Sequence, residues 1–196
     1  MKPPEPVTLQ AAHVRLEPLG ERHRDDLVAA AAEDPGIFRY MGMNIPKHGW
    51  GAWLREALDG VAAGQYVAWA TVDIRDGHAV GSTRFGDISP ADGRVEIGWT
   101  WIAPSHQRTA VNTEAKLLQL TYAFDELGAT RVALKTDARN LRSQAAIERL
   151  GAVREGVLRR HLRVADGFIR DTVYYSILDD EWPAVKARLT ARLAEG

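Results

Sequence analysis

Gln107-Arg108-Thr109-Ala110-Val111-Asn112-Thr113 follows directly on the apolar run Val95–Ile102, and Asn140-Leu141-Arg142-Ser143 follows directly on Arg131–Thr136. Each segment reads as the start of a helix. A helix that begins after a strand aims free N–H groups and a positive dipole end at whatever lies above that strand. Arg108 can pair with phosphate, and the backbone N–H groups of 108–113 can form an anion-binding concavity. Two such starts, one strand apart, can share one long anionic ligand, so these residues predict a phosphate-bearing cofactor. A plainer reading stands beside it. Asn112 can be the N-cap, with Glu114 in the first turn complementing the dipole. That explains those two residues but not Gln107-Arg108-Thr109. A carboxylate at 114 would also compete with a diphosphate in the same turn.

At the second start, Asn140 reads as the N-cap and Ser143 falls at the third helical position. Serine there is ordinary. It also stands one turn inside a helix facing strand ends, where a hydroxyl can donate to a developing thiolate or oxyanion. Glu96 interrupts the apolar residues Val95, Ile97, Trp99 and Trp101. Strand alternation groups it with Gly98, Thr100 and Ile102, opposite Trp99 and Trp101, and a bulge would change that parity. The solvated-face reading of Glu96 is preferred. Its rival is a buried base with a raised pKa. The histidines at 13, 23, 48, 78, 106 and 161 show no metal-ligand spacing, and no metal site is expected. His161, inside Arg159-Arg160-His161-Leu162-Arg163, reads as part of a solvated basic edge, with a proton carrier as the lesser alternative.

The elements that must position these residues follow from periodicity. Val14 and Leu16 alternate with Arg15 and Glu17 in a first strand that ends near Pro18. A helix over 21–33 stops at Asp34-Pro35-Gly36. An irregular segment from Ile37 to His48, with Met41 and Met43, leads into a helix carrying Trp50, Trp53, Leu54, Ala57, Leu58 and Val61. Tyr66–Val72 and Ala79–Phe85 form a hairpin around Asp76-Gly77, and Asp92-Gly93 turns into Val95–Ile102. Leu117, Leu120, Phe124 and Leu127 make one stripe of a helix ending at Gly128. Val132–Thr136 should lie parallel to Val95–Ile102 through that crossover helix. Ile147 and Leu150 belong to a helix from Asn140 to Gly151. A third hairpin, Val153–Val164 with Phe168–Leu178, precedes a helix with Trp182, Val185, Leu189 and Leu193. The fold class is α/β: a mixed sheet with helices on its faces. Ligands of such sheets gather near the carboxyl ends of strands where connections diverge.

The chain of 196 residues suits one domain, 1–196, with residues 1–10 as a loose N-terminal arm. A formal net charge of −1 argues against a nucleic-acid-binding module. The absence of cysteine excludes disulfides and a Cys nucleophile. No apolar run approaches the ~20 residues needed to span a bilayer, so no membrane partner is expected and the cytoplasm is the default compartment.

Beyond this, the succession Trp99-Thr100-Trp101-Ile102-Ala103-Pro104-Ser105-His106-Gln107-Arg108 and Asn112-Thr113-Glu114-Ala115-Lys116-Leu117-Leu118 resembles motif A of the GNAT N-acetyltransferase superfamily. Lys135 to Ile147, with Leu150-Gly151-Ala152, resembles motif B. The Asn-x-x-Ser start and Gly151–Gly156 are typical of the branch related to ribosomal-protein N-terminal acetyltransferases (RimJ/RimL-like). The resemblance implies a central V-shaped mixed sheet split between 95–102 and 131–137. Acetyl-CoA would lie in that split, its pantetheine arm pairing like an extra strand at Ile102. The N–H groups of Arg108, Thr109, Ala110, Val111, Asn112 and Thr113, with Gln107, would hold the diphosphate, and Asn140 would bond the pantetheine arm or nearby backbone. Ser143 would protonate the leaving thiolate. The family's phosphate loop reads Gln/Arg-x-x-Gly-x-Gly/Ala; here Ala110 and Asn112 replace both glycines.

The implied activity is acetyl transfer from acetyl-CoA to a primary amine, with a protein N-terminus as one acceptor and a small-molecule amine as its rival. Glu96 is the candidate base, and Trp99, Trp101 and Met43 are candidates for the acceptor side. A non-catalytic acyl-CoA-binding scaffold is the alternative in another class, and a homodimer is a further expectation.

Overall fold

The computed structural model describes residues 1–195. Its strands are β1 (Leu9–Gln10), β2 (Val14–Pro18), β3 (Val67–Asp73), β4 (Ala79–Ser89), β5 (Arg94–Ile102), β6 (Arg131–Asp137), β7 (Val153–Arg163) and β8 (Ile169–Leu178). They form one eight-stranded sheet in the order β1-β2-β3-β4-β5-β6-β8-β7. Among the described residues, only β5 and β6 run parallel. Helices α1 (Arg24–Ala32), α2 (Ile45–His48) and α3 (Trp50–Ala62) precede β3, and α4 (Ala110–Thr121) is the crossover between β5 and β6. After β6 come α5 (Leu141–Leu150) and the terminal α6 (Trp182–Ala194).

Alternation along the strands builds two cores. Val95, Ile97, Val132, Leu134, Val173 and Tyr175 point to one face and pack with Val111, Leu120, Ile147 and Leu189 of α4–α6. Ala68, Ala70, Val72 and Trp101 point to the other and pack with Leu27, Trp53, Leu54 and Ala57 of α1 and α3. Burial of these apolar side chains, at about 1.5–3 kcal/mol for each large one, is the main force holding helices to sheet.

The expected split is present. β5 and β6 pair only at Arg94↔Arg131, Val95↔Val132 and Glu96↔Ala133, and then part. A bulge lies in the freed half of β5. Ser82 pairs with Trp101 and Arg84 with Gly98, so Trp99 and Thr100 together oppose the single residue Thr83. Trp99 takes φ 53°, rare for a bulky side chain. The bulge reverses the parity of β5. Trp99 and Trp101 therefore lie on the same face as Glu96, not opposite it.

Residues 1–10, expected as a loose arm, are tied to the body. Lys2 N donates to Leu127 O at 2.8 Å, Trp69 Nε1 donates to Val7 O at 2.8 Å, and Leu9 pairs with Leu16. Val7 and Leu9 also rest on the first core. These contacts lie far apart in sequence, so local composition gave no sign of them.

Candidate active site

The site is assembled around the fork of β5 and β6. On the first helix start, Thr109 is the N-cap: its Oγ1 accepts from Val111 N at 3.3 Å and donates to His106 O at 2.7 Å. The helix begins at Ala110, which moves Asn112 from the expected N-cap into the first turn. Glu114 falls in the second turn and faces away. Its carboxylate accepts from Ala12 N (3.2 Å), His13 N (2.6 Å) and Val14 N (2.8 Å), tying α4 to the β1–β2 turn. The competition with a diphosphate expected from the sequence is thereby removed. Left-handed backbone is needed only at Arg108, φ 62°. Ala110 and Asn112 are helical, so the absence of glycine costs no strain there. The N–H groups of the first turn, Val111 apart, have no intrahelical acceptor.

The second start agrees with the sequence reading. Asn140 Oδ1 accepts from Ser143 N at 3.1 Å, and α5 ends at Gly151 in the left-handed conformation. Ser143 Oγ makes no hydrogen bond with the described residues. Gln107 joins the two starts. Its Nε2 donates to Ile102 O at 2.9 Å, and its Oε1 accepts from Arg142 Nη1 at 2.9 Å. Gln107, Arg108 and the α4 first turn thus stand on one side of the split, and Asn140, Arg142 and Ser143 on the other. Ile102 presents only backbone, its side chain lying in the first core.

On the opposite face, Glu96 is 2 % exposed, which overturns the preferred solvated reading. Its carboxylate meets Lys135 Nζ at 2.7 Å. Burial raises the Glu96 pKa, and Lys135 opposes that rise. Lys135 pairs with Tyr174 across β6 and β8 and lies 5.7 Å from the Tyr174 ring centre. The His161 ring lies 5.7 Å from the same tyrosine. A bulge in β7 between Leu158 and Leu162, with Arg160 at φ 48°, turns this histidine inward from the edge. Its Nδ1 is buried without a partner. Burial, then Lys135 and Arg170, lower its pKa, which favours the neutral imidazole. Sequence reasoning missed Lys135, Tyr174 and Arg170. The available signal was alternation on β6, where Lys135 lies between the buried Leu134 and Thr136.

The expected acceptor-side residues separate. Trp99 is half-buried, its ring 4.9 Å from Tyr66. It lies over Gly86, where a Cβ would come within 2.5 Å of the ring. Trp101 is instead a core residue, 4 % exposed and 5.0 Å from Phe38. Met43 is partly buried on the second core. The 37–48 connector meets the β7–β8 turn: Arg170 Nη1 donates to Tyr40 O at 3.0 Å and Ala165 N to Met41 O at 3.1 Å. Glu96, Lys135, Tyr174 and His161 form a polar shelf, and Arg170, which holds the connector, acts on Glu96 and His161 through its charge. Among the described residues no helix is long and apolar enough to cross a membrane.

This architecture has relatives. Residues 13–153 match the family described as Acetyltransferase (GNAT) domain. A Bacillus subtilis (strain 168) protein named "Putative ribosomal N-acetyltransferase YdaF" is 35% identical over 136 residues, 68% of this chain and 69% of that one. A GCN5-related N-acetyltransferase from Brucella melitensis superposes with a TM-score of 0.87 at 34% identity, over 97% of this chain and 87% of its own. RimJ of Mycobacterium smegmatis, solved in complex with CoA-disulfide, shares the fold with a TM-score of 0.83 at 23% identity, over 98% and 97% of the two chains. The fork between β5 and β6, the two helix starts beside it and these likenesses agree: the chain belongs to the GNAT acetyltransferase family, an enzyme family whose acetyl donor is acetyl-CoA.

Proposed function

We propose that this protein moves the acetyl group of acetyl-CoA to a primary amine, and that the amine is the N-terminus of a protein, a ribosomal protein being the first to test. One observation carries the reaction. A free hydroxyl, Ser143 Oγ, stands on one side of the fork, and a buried carboxylate, Glu96, stands on the other. The name of the Bacillus subtilis relative supports the acceptor class.

The residues at the fork fit the donor. The first turn of α4, with Gln107, Arg108, Thr109, Ala110, Val111, Asn112 and Thr113, would hold the diphosphate. The unpaired edge of β5 up to Ile102, with Asn140, would hold the pantetheine arm. Acetyl-CoA supplies an acyl group already activated as a thioester, and the chain orients it and moves protons. An amine is mostly protonated at pH 7, so a base must take its proton. Glu96 is that base in this reading, with Lys135 keeping it charged despite burial. His161, with its buried and unpartnered Nδ1, is the second candidate, placed on the same shelf. Ser143 gives its proton to the departing thiolate from the start of α5. Trp99 and Met43 border the acceptor.

A thiol-release assay with acetyl-CoA, run against peptides copying ribosomal-protein N-termini and against polyamines and aminoglycosides, tests this. Turnover with the peptides and not with the small amines is the expected result. Turnover confined to small amines would overturn the acceptor. Acetyl-CoA binding without turnover on any amine would leave the scaffold reading.

A further inference from the structure

Lys116 is buried inside the protein with no carboxylate beside it. It extends from α4 to the underside of the β5 bulge. Its Nζ donates to Thr83 Oγ1 at 3.1 Å, Thr100 Oγ1 at 2.8 Å and Gln119 Oε1 at 2.8 Å, which uses all three of its donors. Thr83 and Thr100 also bond each other at 2.7 Å. The charged groups on α4, β5 and β4 beside it are engaged elsewhere. Glu114, on the same helix, accepts from the β1–β2 turn, and Glu96 on β5 faces the other side with Lys135. Arg84 on β4 is likewise on the other face, paired with Glu56 at 2.7 Å. A leucine or methionine could fill this space without the cost of desolvating a charge.

What the ammonium holds is the strained part of the strand. Thr83 is the single residue opposite the bulge, and Thr100 is half of the bulge. Trp99, the other half, keeps its left-handed backbone because its surroundings over-determine it. From above, its ring is held over Gly86 and against Tyr66. From below, Thr100 is held by Lys116.

We propose that Lys116 is a positioning residue for acetyl transfer, fixing the bulge through Thr100 and Thr83 so that the unpaired N–H groups of β5 meet the thioester oxygen in one geometry. This rests on the acetyltransferase reading of the fork. Burial alone lowers the Lys116 pKa to about 7, so the support itself loosens when the ammonium gives up its proton. The amine then has fewer N–H groups for its three acceptors.

The test uses Lys116→Met, Thr100→Val and the double variant of the full chain. Each single variant should lower kcat about tenfold or more, with KM for acetyl-CoA changed by less than about threefold. The double should be no worse than either single, because both remove one connection. In the ligand-free wild type, the amide resonances of Gly98, Trp99 and Thr100 should move with pH around a midpoint near 7 and stay still in Lys116→Met. Unchanged kcat in a folded Lys116→Met, or losses that add in the double, would overturn the proposal. Lys116→Gln takes its place if the methionine variant does not fold. The resonances need no turnover. A wild type that binds but transfers no acetyl group removes the function proposed above, while still or moving amides decide the role of Lys116 separately.

Discussion

Glu96 and Lys135 join β5 to β6 at the point where the backbones stop doing so. The last backbone pair is Glu96↔Ala133, and the carboxylate reaches forward to the ammonium two residues further along β6, at 2.7 Å. The fork is thus closed on one face by an ion pair and open on the other to the starts of α4 and α5.

Glu96→Gln should abolish the acid limb of the kcat/KM profile. Burial holds the Glu96 carboxyl above the ordinary range, so the wild-type rate should fall as pH drops through a value above that of a free glutamate. The variant should lose about a hundredfold or more in rate. An identical profile in the variant would take Glu96 out of the mechanism and turn attention to His161.

Ser143→Ala should lower turnover with little change in acetyl-CoA affinity, because the Asn140 cap uses the backbone N–H of Ser143 and not its hydroxyl. Stopped assays and calorimetry on the same preparation separate the two effects. Full turnover in the variant would reject the acid role.

Asn112→Gly tests whether the family's glycine matters here. Asn112 is helical, so no strain is relieved, and stability should fall by about 0.5 kcal/mol on helix propensity. Acetyl-CoA affinity should change by less than about threefold, measured by calorimetry. A tenfold gain would mean that the side chain obstructs the phosphates.

Glu114→Ala should destabilise the protein by about 2–4 kcal/mol in urea unfolding, since three backbone N–H groups lose a charged acceptor. Glu114→Gln, which keeps an acceptor oxygen, should cost less. Equal stability of wild type and Glu114→Ala would show that the β1–β2 turn finds water instead.

Lys116 should also leave a mark on stability against pH. Its folded pKa of about 7 lies below the ordinary lysine value of 10.5. Between these values the unfolded chain binds more protons, so this residue makes stability rise with pH across that window. Below about 7 both states are charged and the full burial cost is present. Denaturant midpoints at pH 7 and 9 should therefore differ more in the wild type than in Lys116→Met. Equal differences would mean that the lysine is hydrated.

Elements with a clear period were legible. The hairpin at Asp76-Gly77, the parallel step from β5 to β6 and the Asn140 cap lie where spacing puts them, because each depends on neighbours a few residues away. The α4 stripe holds in part: α4 ends at Thr121 and a π-helical turn, Tyr122–Glu126, follows, although Phe124 and Leu127 stay buried. The misread positions depend on distant partners. Asn112 loses the cap to Thr109 because the loop from Pro104 bonds Thr109 to His106. Glu114 leaves the phosphate turn for residues about a hundred positions earlier. The parity of Glu96, Trp99 and Trp101 turned on one bulge, which strand alternation cannot register.

The sequence alone determined the mixed sheet, the two helix starts and their order beside the fork, since hydrophobic period and cap chemistry are local. Only the tertiary structure decided which polar groups face the fork. It buried Glu96 against Lys135, turned His161 inward, set Glu114 aside and put Lys116 under the bulge. Those outcomes depend on which strands become neighbours and on where one strand carries an extra residue, and both are settled only when the sheet closes.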